Sequence, residues 1–166
     1  MAPRRDWAFT SLTYTDAMTI HLEGHTAQLM HEANWHTDGD TYIYFPEADV
    51  LVIGDIVTFG RYPNIDVPYG GNINGMIEGV DALLQLANDN TKIVPGHGPV
   101  GNKVMMREYR QILVDARDRI QQLIAEGKTE DEAVAARPNA DYDVALGADA
   151  QRAENFVRVV YRSLNN

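Results

Sequence analysis

The 166-residue sequence contains no cysteine and no long apolar run. Without cysteine, the chain can form neither disulfides nor thiolate metal sites. No apolar run approaches the roughly 20 residues that a membrane span needs. Basic residues are few, because 14 lysines and arginines stand against 24 acidic residues and give a net charge of −10. Such a surface repels nucleic-acid phosphates and anionic membranes, so we expect neither as a partner.

The remaining composition is that of an ordinary globular domain, with 45% hydrophobic and 23% charged residues. The sequence has no repeat, low-complexity tract or linker, and we interpret residues 1–166 as a single α/β domain. The two arginines near the N-terminus have no apolar stretch behind them, unlike those of a signal peptide. We expect a cytoplasmic protein if Met1 is the natural start, and the localisation is otherwise open.

The spacing of apolar residues predicts strands in the first part of the chain. Residues 1–16 are expected to be extended, and residues 18–32 to form a hairpin around Glu23-Gly24. Residues 41–45 and 50–53 predict a second hairpin, and the unbroken apolar run of its second strand indicates a well-buried strand. Residues 59–71 are rich in Gly, Pro and Tyr, and they predict a long loop of the kind that often carries function.

Helical spacing dominates the rest of the chain. Apolar residues repeat with a helical period from Ile73 to Leu84, and a short strand at residues 92–94 follows. Further helical stripes cover residues 109–124 and 156–164. Gly127 predicts the end of the first of these helices. Thr129 and Glu132 have the spacing of a capping box that begins another helix.

Three side chains with metal-binding chemistry lie beside predicted strands. His36 precedes a strand in the segment HTDGD, Asp55 follows the apolar run that ends in Gly54, and His97 lies between two glycines after the strand 92–94. Ligands gather at such strand ends in α/β sheets, and imidazole and carboxylate suit zinc, manganese or iron. The alternatives are a surface histidine in a polar turn, a capping aspartate and a tight turn with an incidental histidine. A buried aspartate needs a partner, and a turn does not need histidine, so Asp55 and His97 favour function.

The same segments carry a family resemblance. His36-Thr-Asp-Gly-Asp, Gly54-Asp55 and Pro95-Gly96-His97-Gly98 resemble, in order and strand context, the C-terminal half of the metallo-β-lactamase superfamily. The resemblance runs from about Ile20 to the end of the chain. It implies an αββα sandwich, of which this chain would be a truncated C-terminal part: a mixed sheet with hairpins, flanked by C-terminal helices.

The resemblance also implies roles for these residues. His36 would bind a first metal, Asp55 would bridge both metals as the catalytic residue, and His97 would bind the second. The cofactor would be one or two zinc ions, with iron or manganese as alternatives. An aspartate at the bridging position resembles hydrolases of the glyoxalase II type, whereas one class of true β-lactamases has cysteine there. The expected substrate is therefore a small thioester, lactone, other ester or phosphodiester, attacked by a metal-bound hydroxide.

The superfamily motif His-x-His-x-Asp-His is absent from the 166 residues. The resemblance then implies that the remaining metal ligands belong to an N-terminal half of the fold. Three other histidines lie in or beside the first hairpin, and we interpret them as solvent-facing, with an adventitious metal site as the alternative: His21, His25 and His31. A catalytically inert module that acts in assembly or binding is the alternative function.

The resemblance has an energetic consequence, because a second sheet covers the inner face of this sheet in the superfamily. Apolar burial stabilises by about 25 cal/mol per Å², so an uncovered face would forfeit several kcal/mol. We therefore expect the chain to pair with a second copy of itself, as a homodimer, or with an N-terminal half.

Residues around the three ligands have expected roles as well. Asp38 and Asp40 would either orient a ligand histidine or cap the following strand. Arg61, Tyr62 and Tyr69 lie in the long loop after Asp55, and we predict that they contact the substrate.

Overall fold

The structure is a computed structural model that describes residues 12–165. In this part of the chain, five strands form one mixed sheet in the order β1–β2–β3–β4–β5, in which β4 and β5 are parallel and all other neighbours are antiparallel. The strand bounds are Ala17–Leu22 (β1), His25–Glu32 (β2), Asp40–Phe45 (β3), Val50–Gly54 (β4) and Lys92–Pro95 (β5).

Within residues 12–165, five α-helices accompany the sheet. Helix α1 connects β4 to β5, and the other four follow β5. Their bounds are Ile73–Leu86 (α1), Lys103–Ala125 (α2), Glu130–Ala135 (α3), Ala140–Ala145 (α4) and Ala150–Leu164 (α5). A 3-10 helix, Val67–Tyr69, lies near the end of the predicted loop 59–71. Within residues 12–165, no helix is long and apolar enough to cross a membrane.

The α/β fold class and the predicted hairpins are confirmed, and so is the capping box of Thr129 and Glu132. Helix α4 was missed because its six residues, ADYDVA, are too few to display a helical apolar period. Residues 12–16 belong to no strand of the sheet, and residues 1–11 lie outside the described residues, so the expectation of an extended N-terminus stays a prediction.

One face of the sheet packs on the helices and forms the core. Leu51, Ile53 and Ile93 point to this side and are completely buried. The helices contribute their apolar stripes, which are also buried: Met76, Val80 and Leu83 of α1, Met106, Leu113 and Ile120 of α2, and Phe156 and Val160 of α5. The apolar periods at residues 73–84 and 109–124 therefore mark the faces that pack against the sheet.

The opposite face of the sheet carries apolar residues that do not join this core. Strand register aligns one residue from each strand into a row across this face: Met18, Leu29, Ile43, Val52 and Val94. Each of the five is half-exposed, and none packs against the buried cluster. The prediction that the strand at residues 50–53 is well buried is thus correct for one side only, since Leu51 and Ile53 are buried whereas Val50 and Val52 are half-exposed.

Two glycines let α1 pack closely against the loop between β2 and β3. A Cβ at Gly75 would overlap the Asn34 carbonyl, and a Cβ at Gly79 would overlap the indole ring of Trp35. Trp35 is buried and stacks on Tyr42, with 6.1 Å between ring centroids. Trp35 is therefore packed between α1 and Tyr42 of the sheet, and this packing fixes the position of the adjacent His36.

Ion pairs attach α5 to α3. The Glu130 carboxylate accepts hydrogen bonds from Arg158 and Arg162, at 2.8–2.9 Å. These two guanidinium groups lower the pKa of Glu130 to about 2. The carboxylate therefore stays ionised over the working pH range, and the position of α5 relative to α3 is maintained.

We predict that Gly79→Ala destabilises the protein by about 1–3 kcal/mol, because the added methyl group overpacks the Trp35 contact and outweighs the gain in helix propensity. Urea unfolding followed by circular dichroism measures the change. Gln85→Ala, at an exposed position of the same helix, is the matched control and should change the stability by less than about 0.5 kcal/mol. Equal stability of Gly79→Ala and the wild type would contradict the packing account.

Candidate metal centre

The three predicted metal ligands lie at one edge of the sheet. Because β4 and β5 are parallel, their carboxyl ends meet at this edge, and Asp55 and His97 follow those ends. Strand β3 is antiparallel to β4, so it begins at the same edge, and His36 lies in the loop before it. The topology therefore brings together residues that are far apart in sequence.

Asp55 and His97 are in direct contact across this edge. The distance from His97 Nε2 to Asp55 Oδ1 is 3.6 Å. Gly54 turns the chain after β4 with a φ of +52°, a value that favours glycine. Gly96 donates its N–H to the Gly54 carbonyl at 2.6 Å, and a Cβ at Gly96 would overlap the Asp55 carboxylate. Both glycines are thus needed for the close approach of the two ligand loops.

Asp55 is more exposed than the sequence predicted. Its side chain is 40% exposed and that of His97 is 61% exposed. The prediction of a buried carboxylate assumed that the apolar residues on both sides of Asp55 enclose it. Ile56 and Val57 are buried, but the turn after Gly54 directs the carboxylate outward. A carboxylate and an imidazole that reach solvent together can meet a cation.

His36 is less exposed and is oriented by Asp40. Its side chain is 13% exposed, and Nδ1 lies 3.3 Å from Asp40 Oδ1. The other carboxylate oxygen accepts the backbone N–H groups of His36, at 2.6 Å, and Thr37, at 3.0 Å. When the neutral ring donates from Nδ1, the lone pair is on Nε2, which lies 3.3 Å from the side-chain nitrogen of Asn64. A carboxylate behind the imidazole is the usual arrangement for a metal-binding histidine.

The charges at this edge shift the pKa values of both partners in opposite directions. The hydrogen bond to Asp40 raises the pKa of His36 above its ordinary value of 6.5, although burial acts to lower it. The negative charges of Asp55 and Asp66 raise the pKa of His36 further. Burial acts to raise the pKa of Asp40, but the hydrogen bonds from His36 and Thr37 outweigh it and lower that pKa. Asp55 therefore lies close enough to His36 to act on its charge.

These residues fit part of a metal site. Asp55 and His97 offer an oxygen and a nitrogen ligand in contact, and a neutral His36 ring that donates from Nδ1 to Asp40 would have its lone pair on Nε2. Over residues 12–165, however, no three His, Cys, Asp or Glu side chains form a group with the spacing that would hold a metal ion. The donor set thus matches zinc chemistry, while a complete coordination shell requires further ligands.

The other predicted residues occupy distinct positions. Asp40, the first residue of β3, both contacts the His36 ring and caps the preceding turn, whereas the Asp38 side chain packs at Gly70. The Tyr62 hydroxyl donates to Asp143 Oδ1 at 2.7 Å, which directs it toward α4. Tyr69 is 71% exposed. The substrate-binding role of these tyrosines, and of Arg61, stays a prediction.

Asn64 was missed by the sequence prediction although it lies against the His36 ring. Its only sequence signal is its place in the long loop, three residues after Arg61. Backbone hydrogen bonds set its position: the N–H of Asp66 donates to the His36 carbonyl at 3.0 Å, and the N–H of Asp38 donates to the Tyr69 carbonyl at 2.8 Å. A contact that depends on two irregular loops has no periodicity from which to predict it.

The histidines of the first hairpin lie elsewhere. His21 and His25 are exposed on β1 and β2. His31 Nε2 lies 2.8 Å from the Asp38 carbonyl oxygen, which ties β2 to the loop that carries His36. His21 and His25 thus lie at the surface, and His31 contacts the loop before β3.

Comparison with known proteins relates the fold of this chain to the folds of solved structures. No protein-family model and no curated protein matches the sequence. Among solved structures, the chain is similar to a metallo-β-lactamase from Pontibacter korlensis, at 19% identity and a TM-score of 0.55, over 63% of this chain and 49% of that one. It is also similar to the stereoselective inverting sec-alkylsulfatase Pisa1 from Pseudomonas sp., at 17% identity and a TM-score of 0.68, over 90% of this chain and 26% of that one.

The chain therefore shares the fold of part of a metallo-β-lactamase, as its motifs predicted. It spans about half the length of the first of these structures and about a quarter of the second. A double mutant of the sulfatase gives a TM-score of 0.71 and is covered over 27% of its length. The solved structures with this fold include metallo-hydrolases. What this chain shares with them is the fold.

We predict that Asp40→Asn lowers the pKa of His36, because the neutral amide cannot stabilise the imidazolium as the carboxylate does. The raised pKa means that the protonated His36–Asp40 pair adds stability below about pH 6.5. This gain is lost as the pH rises through the folded-state pKa.

An NMR titration of the His36 ring protons in metal-free protein measures the shift. Asp38→Asn is the matched control, since that carboxylate packs at Gly70 and does not contact the ring. Equal pKa values of His36 in both variants would refute the role of Asp40.

Proposed function

We propose that the chain is the C-terminal part of a metal-dependent hydrolase, in which His36, Asp55 and His97 bind one or two zinc ions. The observation that carries this proposal is the contact of Asp55 with His97 at 3.6 Å, at the edge where His36 also lies. Iron or manganese would suit the same nitrogen and oxygen donors. Further ligands would come from a second part of the fold, since the described residues form no three-ligand group.

The chemistry that we propose is hydrolysis of an ester-like bond. A bound zinc ion would polarise a carbonyl or phosphoryl oxygen and lower the pKa of water at this edge. Asp40 would hold the His36 ring with Nε2 facing the ion, and Asp55 would supply a negatively charged ligand between the two histidines. Asn64, beside His36 Nε2, would contact the substrate. In this proposal, Asp40 orients a ligand, Asp55 binds the ion, and Asn64 contacts the substrate.

The substrate classes to test are thioesters, lactones and phosphodiesters. The aspartate at residue 55 supports them through the resemblance to hydrolases of the glyoxalase II type. The similarity to a sec-alkylsulfatase adds sulfate esters to this set. In all four classes hydroxide attacks an electrophilic carbon, phosphorus or sulfur atom, and an alkoxide, thiolate or sulfate group leaves. One panel of chromogenic substrates therefore covers them.

A second candidate function is a catalytically inert module that acts in assembly or binding. The specific observation in its favour is that no three-ligand group occurs in residues 12–165. On this alternative, the contact of Asp55 with His97 serves only to hold the two loops together. The two candidates differ in what happens when zinc is supplied.

We predict that the metal-depleted chain takes up zinc at a site that contains Asp55 and His97, and that His97→Ala weakens binding by at least roughly tenfold because it removes a direct ligand. Calorimetric titration with zinc, supported by metal analysis, measures the affinity. His25→Ala, which removes an exposed histidine of the first hairpin, is the matched control and should bind like the wild type.

Turnover of the ester panel with zinc present, lost in His97→Ala and retained in His25→Ala, would support the hydrolase. Equal zinc affinity of all three proteins would contradict the site. A failure to bind zinc, together with no turnover, would favour the inert module.

We also propose that a second layer covers the open face of the sheet, either as a second copy of this chain or as an N-terminal half of the fold. The support is the apolar row of Met18, Leu29, Ile43, Val52 and Val94, whose side chains do not join the core. Strands β4 and β5 carry apolar residues on both faces, which is typical of strands that are buried on both sides. A face left in water would be an unusually large apolar patch.

We predict that the chain self-associates at micromolar concentration and that Ile43→Lys, which places a charge in the middle of the row, makes it monomeric. Sedimentation velocity over a concentration series measures this. Thr19→Lys places the same charge on the opposite face of the sheet and should leave the association unchanged. A compact, stable wild-type monomer at micromolar concentration would contradict the pairing of two copies.

A further inference from the structure

A cavity of about 350 Å³ lies between the long loop and α5, beside the candidate metal centre. Its volume is in the range of small-molecule sites. The loop contributes Arg61, Tyr62, Pro63 and Asn64, and the residues from the end of α4 into α5 contribute Leu146, Ala148, Arg152, Asn155, Phe156 and Val159. The cavity therefore joins segments that are more than 80 residues apart in the sequence.

The charge of this lining is opposite to that of the chain. The chain has a net charge of −10, yet the lining contains Arg61 and Arg152 and no acidic residue. Among the residues that the structure describes, no carboxylate lies within ion-pair distance of Arg61. Arg152 has one partner, Asp149 at 3.6 Å, and both side chains are more than 60% exposed, so that pair is weak. Two guanidinium groups are thus available to an anion.

Apart from Asn64 and Asn155, the rest of the cavity wall is largely apolar, and side-chain contacts order part of it. The Tyr62 ring stacks on Phe156 with 4.2 Å between centroids. The Tyr62 hydroxyl donates to Asp143 at 2.7 Å and to the Asn139 carbonyl at 3.2 Å, which fixes the ring at its far end. Leu146 and Val159 add aliphatic surface. A wall that is already ordered binds an apolar group without a large entropy loss.

The cavity is connected to the candidate metal centre through Asn64. This residue lines the cavity, and its amide nitrogen lies 3.3 Å from His36 Nε2. A molecule in the cavity that touches Asn64 is therefore separated from the His36 ring by one side chain. Tyr69, by contrast, does not line the cavity.

We propose that this cavity is the substrate pocket and that it selects an organic anion with an apolar chain or ring. The anionic group contacts Arg61 and Arg152, and the apolar part packs on Tyr62, Phe156 and Val159. The assignment of the pocket to a substrate rests on the proposed hydrolase function. The binding of such an anion does not require the metal, and it can be tested separately.

The probes are octanoate, an anion with an aliphatic chain, used at concentrations at which it forms no micelles, and octan-1-ol, its uncharged counterpart. We expect octanoate to bind the chelator-treated wild-type chain saturably and more tightly than octan-1-ol does, as measured by NMR shifts in isotope-labelled protein. Arg61→Gln and Arg152→Gln should each weaken octanoate binding by roughly fivefold at low salt, as expected for partly exposed charges, and leave octan-1-ol unchanged. Arg117→Gln is the matched control, because Arg117 lies on α2 and pairs with Asp118.

The absence of saturable octanoate binding would overturn the proposal, and so would equal binding of octanoate and octan-1-ol. Unchanged octanoate affinity in Arg61→Gln and Arg152→Gln would overturn it too. These outcomes differ from a failure of the hydrolase proposal, which is a loss of zinc binding or turnover while metal-free octanoate binding persists.

Discussion

The parallel pairing of β4 with β5 is the constraint on which the candidate site depends. It places the ends of two strands at one edge of the sheet, so Asp55 and His97 meet although 41 intervening residues separate them. The antiparallel partner β3 then begins at the same edge and brings His36 with it. Helix α1, which connects the two parallel strands, is also the element that clamps Trp35 beside His36. A single topological choice thus positions all three side chains.

Glycines allow the loops of the candidate site to approach one another closely. Gly54 and Gly96 let the loops that carry Asp55 and His97 approach until their backbones form a hydrogen bond of 2.6 Å. At Gly71, a Cβ would overlap the His36 carbonyl. Gly75 and Gly79 do the same where α1 meets the loop before β3. These glycines lower the intrinsic propensity of the helix by about 1 kcal/mol each, so their benefit lies in close packing. The candidate site and the fold therefore depend on the same contacts.

The sequence was sufficient to predict the elements with strong periodicity and the ligand candidates that follow them. Asp55 and His97 were identified because each ends an apolar strand, and this position reflects the local sequence alone. Asn64 and Arg152 could not be identified in the same way, because they come near the site through an irregular loop and a distant helix. The exposure of Asp55 was also wrong in the prediction, since it depends on the direction of the turn after Gly54. Periodicity predicts which face an element buries, but it does not predict how loops meet.

The apolar row on the open face has a thermodynamic consequence. In a sheet with apolar residues on both sides, folding and the covering of the second side are linked equilibria. Whatever binds the folded chain through this face stabilises it by mass action. The unfolding midpoint of this polypeptide would therefore rise with its own concentration, or with that of the polypeptide that docks there. With the proposed second layer, a melting temperature for this chain has meaning only together with the molarity at which it is measured.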